Sequence, residues 1–172
     1  MLRVLLLTLL AGAPLLAQQP DTVRFARAEG EALTGRHFVV PDDFAGERNL
    51  VFIAFSRGQQ ADIDAWNPLR DSLTATDSGL QWYELPTLGR RYRLIRGVID
   101  GGMRRGIPDS TTRAHTITLY IDKSPFERPL GIADEDSIAV VLARRDGTVI
   151  WKTRGRPTAE KAAELRAIIE RR

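Results

Sequence analysis

An unbroken run of six apolar residues at 50–55 limits the possible folds of this chain more than any feature of its composition. Because the run does not alternate with polar residues, it predicts a strand that is buried on both faces. Ser56, Arg57 and Gly58 end the run. From Gln59 onward the apolar residues recur at helical spacing, which predicts a helix with an inward face. That face comprises Ile63, Trp66, Leu69 and Leu73, and Pro68 predicts a kink within it.

Strand and helix patterns continue along the rest of the chain. Short strands are predicted at 37–41, 80–86 and 116–121, and a helix at 90–105 with an inward apolar face. That face comprises Tyr92, Ile95, Val98, Ile99 and Met103. A loop is predicted at 107–109, and a loop or a short helix at 123–131. Helices that connect the early strands imply parallel pairing in that part of the sheet.

The C-terminal part carries the clearest local signals. Asp146-Gly147 separates two apolar runs, 138–143 and 148–153, and this arrangement predicts a β-hairpin. A final helix follows, with Thr158 as its N-cap, Glu160 in its first turn and a core-facing stripe. The stripe comprises Ala162, Leu165, Ile168 and Ile169. The whole pattern predicts one α/β domain over residues 36–172, with a mixed sheet.

The N-terminal segment has the layout of a secretory signal peptide. Arg3 precedes an apolar stretch that ends near Ala17, and the sequence then turns polar. A permanent membrane anchor is the alternative, but fourteen helical residues span only about 21 Å. We therefore expect residues 1–17 to be removed, leaving no transmembrane segment, and the protein to be exported to the periplasm or secreted. Residues 18–35 show no sustained period, which predicts a mobile leader.

The composition excludes several classes of function. The chain has no cysteine, so disulfides, thiol catalysis and cysteine-bound metal or iron–sulfur centres are ruled out. His37 and His115 lack the spacing of metal ligands, and no phosphate-binding loop is present. We therefore predict neither a metal nor a cofactor. The net charge of +3 is too small to indicate nucleic-acid binding.

Two segments that frame the predicted domain resemble the thioredoxin-like superfamily. VVPDDFAGERNLVFIAF (39–55) resembles the entry of thioredoxin-like and peroxiredoxin-like domains, and IAVVLARRDGTVIWKTRG (138–155) resembles their closing hairpin. QQADIDAWNPL (59–69), WYELP (82–86) and GMRRGIPDSTTRAHTITLYID (102–122) are similar to cysteine-free bacterial relatives of the mitochondrial ATP-synthase assembly factor family. The resemblance implies a three-layer thioredoxin-like sandwich whose mixed central sheet ends in a β-hairpin and a final helix.

The chain departs from this superfamily at both of its redox hallmarks. Thioredoxins place a Cys-x-x-Cys motif or a peroxidatic cysteine after the first buried strand, whereas this chain has the residues 56–60, Ser-Arg-Gly-Gln-Gln. The position of the cis-proline that redox members carry is held by about Ser137 and Ile138. Thiol–disulfide exchange and peroxide reduction by the usual route are therefore excluded, and the fold does not imply the reaction.

Five residues are candidates for a binding site at the sheet edge where this superfamily carries its active site. Arg57, Gln59 and Gln60 offer a cation and amide groups to an anion or a peptide, unless they only cap the helix and solvate the loop. Tyr83 and Glu84 are expected to end the next strand, where open α/β sheets bind ligands. Glu84 could equally form a structural ion pair.

The predicted helix at 90–105 is strongly basic. It carries six arginines against a single acid, Asp100. The arginines are Arg90, Arg91, Arg93, Arg96, Arg104 and Arg105. Such a cluster could contact anionic lipid headgroups or an acidic partner, or it could be a solvated helix face.

These patterns predict an exported, redox-inactive thioredoxin-like protein that binds a protein or peptide partner, or assists assembly, without catalysis. Its binding surface would centre on Arg57, Gln59 and Gln60. The alternative is a small-ligand binder or an enzyme without thiol chemistry at the same edge. In that enzyme Glu84 would act as the base and Arg57 would hold an anion.

Overall fold

Seven strands form one mixed sheet in the computed structural model, which describes residues 22–171. The strands are β1 (Ala28–Ala32), β2 (His37–Val40), β3 (Arg48–Ala54), β4 (Leu80–Gly89), β5 (Ile117–Ile121), β6 (Ala139–Arg144) and β7 (Val149–Arg154). Their order across the sheet is β2-β1-β5-β4-β3-β6-β7. The predicted signal peptide lies outside the described residues. Within them, no helix has both the length and the apolar character that a membrane span requires.

The strand predicted from the apolar run at 50–55 is β3, and it lies inside the sheet. It pairs in parallel with β4 on one side and antiparallel with β6 on the other. β4 continues the parallel part by pairing with β5, while β6 and β7 form the predicted terminal hairpin. The predicted α/β architecture with a mixed sheet is therefore confirmed.

Six α-helices accompany the sheet over residues 22–171. They are α1 (Gln60–Asp64), α2 (Asn67–Thr76), α3 (Arg96–Gly106), α4 (Ser110–His115), α5 (Lys123–Leu130) and α6 (Ala159–Glu170). A 3-10 turn at Arg57–Gln59 precedes α1, and a longer 3-10 segment at Arg90–Ile95 precedes α3.

Two hydrophobic clusters, one on each face of the sheet, make the three layers. Leu50 and Phe52 of β3 pack with side chains of α1, α2 and α6, whereas Val51 and Ile53 pack with Phe126 and Leu130 of α5. The successive residues of β3 thus point to opposite cores, which explains why the run does not alternate with polar residues.

The predicted inward face of the first helix is confirmed. Ile63, Trp66, Leu69 and Leu73 are all buried, and the helix is interrupted between α1 and α2, just before Pro68. The Trp66 indole donates a hydrogen bond to the Gly155 carbonyl at 3.0 Å.

The predicted N-cap of the final helix is also confirmed. The Thr158 hydroxyl caps α6 by accepting a hydrogen bond from the backbone N–H of Lys161.

β1 lies within the segment predicted to be a mobile leader. The prediction over 18–35 is wrong at residues 28–32, because these residues pair with β2 on one side and with β5 on the other. The sequence of β1, AEGEA, carries almost no apolar signal. The ordered domain therefore begins before residue 36, while residues 18–21 lie outside the described part of the chain.

The helix predicted at 90–105 forms as a 3-10 segment followed by α3, but its orientation differs from the prediction. Of the five residues predicted to face inward, Tyr92, Ile95 and Val98 are exposed, whereas Ile99 and Met103 are half-buried. The fully buried residue of this segment is Asp100. The apolar residues of this segment therefore recur at helical spacing, but most of them are not buried as such a face usually is. The short helix α4, which follows, was not predicted.

Gly30 allows β1 to dock against β5, and this gives a test of the fold. A Cβ at this position would lie 2.6 Å from Leu119 Cδ2 and 2.7 Å from the Thr118 carbonyl oxygen. We expect Gly30→Ala to lower the free energy of unfolding by about 1–3 kcal/mol through overpacking, as measured by urea denaturation. The control is Gly102→Ala in α3, where a Cβ meets nothing within 4 Å. It should be neutral or stabilise by up to about 1 kcal/mol. Equal stability of Gly30→Ala and the wild type would contradict the described docking of β1.

Candidate functional site

The buried side chain of Gln59 joins two segments at the predicted site. Its Oε1 accepts a hydrogen bond from the backbone N–H of Phe55 at 2.8 Å, and its Nε2 donates one to the carbonyl of Glu135 at 2.7 Å. Phe55 follows β3 directly, whereas Glu135 lies in the loop that leads into β6. The amide therefore fixes the exit of one central strand against the entry of its neighbour.

The residues around this amide bridge form an exposed surface. Arg57 is exposed, and within residues 22–171 its guanidinium makes no hydrogen bond or ion pair. Lys123 of α5 forms an ion pair with Glu135, and its Nζ lies 6.0 Å from the centroid of the half-buried Phe55 ring. We call this the helix-edge surface; it comprises Phe55, Arg57, Gln60, Lys123 and Glu135.

Gln60 links this surface to the buried carboxyl of Glu84. The Gln60 amide donates a hydrogen bond to Asp64 at 3.0 Å, and it also interacts with Glu84. Glu84 does not end its strand as predicted. It lies in the middle of β4, opposite Phe52 of β3, and only 3% of its surface is exposed.

Four influences act on the pKa of the Glu84 carboxyl, and burial is the largest of them. Loss of solvent raises the pKa of this carboxyl above its ordinary value of 4.5, and the nearby Asp64 carboxylate adds to the increase. The guanidinium of Arg70 and the hydrogen bond from Gln60 act in the opposite direction. Arg70 Nη1 lies 3.8 Å from Glu84 Oε1, so these two residues form a buried ion pair.

Arg70 is the residue of this cluster that the sequence analysis missed. Its guanidinium also pairs with Asp71 at 2.8 Å and lies 4.0 Å from the centroid of the Trp82 ring. The His115 imidazole in turn stacks on Trp82, with 4.7 Å between the ring centroids. A signal was present, because Arg70 lies between Trp66 and Leu73 on the inward face of the helix. A charged residue in such a position requires a partner.

Tyr83 lies apart from the other four candidates. Adjacent residues of a strand point to opposite faces, and Tyr83 packs between Phe38 and Phe44 in the core on the α5 side. Its hydroxyl accepts a hydrogen bond from the Ala45 backbone N–H at 3.0 Å, and burial raises its pKa. The structure thus brings Gln60 and Glu84 into contact and leaves Tyr83 in the core. Arg57 and Gln59 lie within three residues of Gln60 in the sequence.

A groove of about 860 Å³ lies at the amino ends of β3 and β4, away from all five candidates. Two of the arginines that line this groove already have partners within the protein. Arg48 pairs with Asp77 and donates to the Ile169 carbonyl, and Arg145 donates to the Ala45 carbonyl. None of the residues of the helix-edge surface lines this groove.

In the part of the chain that the structure describes, no cluster of three or more acidic or histidine side chains is arranged to hold a metal ion.

Comparisons with solved structures identify the fold as thioredoxin-like. A thiol:disulfide interchange protein from Bacteroides sp. is 14% identical with a TM-score of 0.59, covering 88% of this chain and 91% of that one. BsSco, a member of the Sco family of cytochrome c oxidase assembly proteins, is 12% identical with a TM-score of 0.56, covering 90% and 98%. Copper-bound yeast Sco1 is 12% identical with a TM-score of 0.57, covering 89% and 96%. No protein-family model and no curated protein matches the sequence.

The structural role of Gln59 can be tested by removing its amide. Gln59→Ala leaves the half-buried Phe55 N–H and Glu135 carbonyl without this partner, so we expect the free energy of unfolding to fall by about 1–2 kcal/mol. Urea denaturation would measure it. The exposed Arg57, whose guanidinium makes no hydrogen bond or ion pair within residues 22–171, provides the control: Arg57→Ala should change stability by no more than about 0.5 kcal/mol. Equal effects of the two substitutions would show that the amide bridge does not stabilise this loop.

The raised pKa of Glu84 has a consequence for the pH dependence of stability. The folded protein retains a proton on this carboxyl that the unfolded chain releases near its ordinary pKa of 4.5. The wild type should therefore lose stability relative to Glu84→Gln as the pH rises above about 4.5 and through the folded pKa. Urea denaturation of both proteins from about pH 4 to about pH 8 measures this difference. A stability difference that stays constant, or that moves in favour of the wild type with rising pH, would contradict the assignment.

Proposed function

We propose that this chain is an exported, redox-inactive thioredoxin-like protein that binds a protein or peptide partner through its helix-edge surface without catalysing a reaction. The observation that carries the proposal is the amide bridge of Gln59. At the place where the redox relatives carry thiols, this chain has a buried side chain that joins two segments. The exposed Arg57 is two residues away, with its guanidinium available to a partner.

The chemistry of the surface indicates the kind of segment that would bind. An arginine without an internal partner favours a carboxylate, which it can bind through two parallel hydrogen bonds. The half-buried Phe55 ring beside Lys123 adds apolar contact area. An extended peptide with an acidic side chain or a C-terminal carboxylate, next to an apolar residue, matches this arrangement.

Two further observations support a role in binding or assembly. The sequence resembles cysteine-free bacterial relatives of the mitochondrial ATP-synthase assembly factor family, and one structural neighbour belongs to a family of cytochrome c oxidase assembly proteins. The signal-like segment 1–17 supports export, so the assembly role proposed here belongs to the periplasm or to the cell exterior. A mitochondrial role does not carry over to a chain with such a signal.

The geometry of Glu84 favours binding over catalysis at this edge. An enzyme that uses this carboxylate as a base must bring substrate to it, yet the side chain is buried and already paired with Arg70. The groove near Arg48 does not reach it. If a small ligand nevertheless bound at this edge, it would raise the melting temperature of the wild type and not that of Glu84→Gln.

Affinity capture with crosslinking in cells, from the compartment to which the protein is exported, tests the proposed function. The wild type is compared with the double variant Arg57→Ala/Gln60→Ala, and we expect a partner that the wild type captures and the variant loses. Both substituted side chains are exposed, and urea denaturation should show that the variant stays folded despite the loss of the contact between Gln60 and Glu84.

The matched control is Arg166→Ala in α6, another exposed arginine that makes no hydrogen bond or ion pair within the described residues. It should capture the same partner as the wild type. Capture of that partner by the double variant at wild-type yield would place the binding site elsewhere. Failure of all three proteins to capture any partner would argue against a binding role.

A further inference from the structure

The segment that connects β4 to α4 buries a carboxylate and leaves four large apolar side chains in solvent. Asp100 is buried, and its Oδ1 accepts a hydrogen bond from the Tyr120 hydroxyl of β5 at 2.8 Å. Arg104 Nε donates a hydrogen bond to the Leu33 carbonyl at 2.7 Å. These polar contacts attach the segment to the rest of the described chain, and among its apolar side chains Ile99 and Met103 are half-buried.

The four exposed apolar side chains of this segment lie close together in the sequence. Tyr92 is 37% exposed, Leu94 94%, Ile95 51% and Val98 73%. These four account for all the exposed large hydrophobic side chains of residues 22–171. We call them the 92–98 patch. Exposed apolar residues that are scattered singly are ordinary, but their concentration in one short segment marks an interaction surface.

Arginines are interleaved with the patch, and four of the six at 90–105 form no ion pair within residues 22–171. Within the described chain, Arg90, Arg93 and Arg105 make no hydrogen bond or ion pair. Arg96 and Arg104 share one half-buried carboxylate, Glu31, at 3.9 and 3.8 Å. The acid of the segment itself, Asp100, is turned inward. The surface around the patch therefore combines exposed apolar side chains with uncompensated positive charge.

We propose that the 92–98 patch docks on an anionic lipid bilayer. Leu94, Ile95 and Val98 would enter the boundary between headgroups and acyl chains, as the apolar face of an interfacial helix does. The arginines would extend their guanidinium groups to the lipid phosphates. The Tyr92 ring would lie at the level of the headgroups, where tyrosine is enriched in membrane proteins.

Charge and shape favour a bilayer over an acidic protein at this surface. A bilayer presents phosphate groups and hydrocarbon at every point of its surface. Interleaved arginine and apolar side chains can therefore contact both without a pocket of matching shape. A Cβ added at Gly97 or Gly102 would meet nothing within 4 Å, so no other part of the described chain covers the helix at these two positions. The patch shares no residue with the helix-edge surface, so this proposal does not rest on the proposed function.

Vesicle sedimentation of the purified full chain tests the proposal. We expect binding to vesicles that mix phosphatidylglycerol with phosphatidylcholine, and far weaker binding to phosphatidylcholine alone. Leu94→Ser/Val98→Ser and Arg90→Gln/Arg93→Gln should each reduce the affinity for the anionic vesicles about tenfold or more. Arg166→Gln is the charge-matched control and should bind like the wild type. All four proteins are expressed with residues 1–17 and processed alike, so any lipid affinity that remains from that segment is common to them.

The two substitution pairs separate insertion from simple charge attraction. If Leu94→Ser/Val98→Ser bound anionic vesicles as well as the wild type, the apolar patch would not enter the bilayer and the proposal would fail. Equal binding of the wild type to neutral and anionic vesicles would remove the role of the arginines. Stronger binding to soluble polyglutamate than to anionic vesicles would overturn the proposal in favour of an acidic protein partner. Because the substituted residues are exposed, urea denaturation should show unchanged stability for each variant.

Discussion

The burial of β3 on both faces is the constraint on which the rest of the molecule depends. Phe52 faces Trp66 on one side, while Val51 and Ile53 face the core beneath α5 on the other. A strand with two apolar faces is stable only when helices cover both of them, which requires the three layers seen here. The position of the loop that follows β3, and hence of the helix-edge surface, is a consequence of this packing.

Where burial dictates the pattern, the sequence was sufficient to predict the structure. The inward face of α1 and α2, the Asp146-Gly147 hairpin and the Thr158 cap all depend on contacts within a few residues or on a single periodic face. β1 depends instead on pairing with β2 and β5, and β5 is nearly ninety residues away. Its sequence contributes backbone hydrogen bonds and a glycine, and these leave no periodic apolar signal.

The candidate site was predicted less completely, because its buried polar residues have partners that are distant in sequence. The residue types at 57–60 indicated a loop with hydrogen-bonding groups, but not that Gln59 would be buried against Glu135 or that Glu84 would pair with Arg70. In the segment 90–106 the sequence predicted burial that the structure does not show for most of the apolar residues. Its helical period is real, yet periodicity alone does not determine whether an apolar face meets the core or another molecule.

The amide bridge of Gln59 also removes a degree of control that the redox members of this fold possess. A thiol pair at this place can exist in two oxidation states, so the local geometry can follow the potential of the surroundings. An amide has no such second state, and its two hydrogen bonds do not respond to oxidants or reductants. The contact that this amide makes between the exit of β3 and the entry of β6 is consequently the same in oxidising and in reducing surroundings.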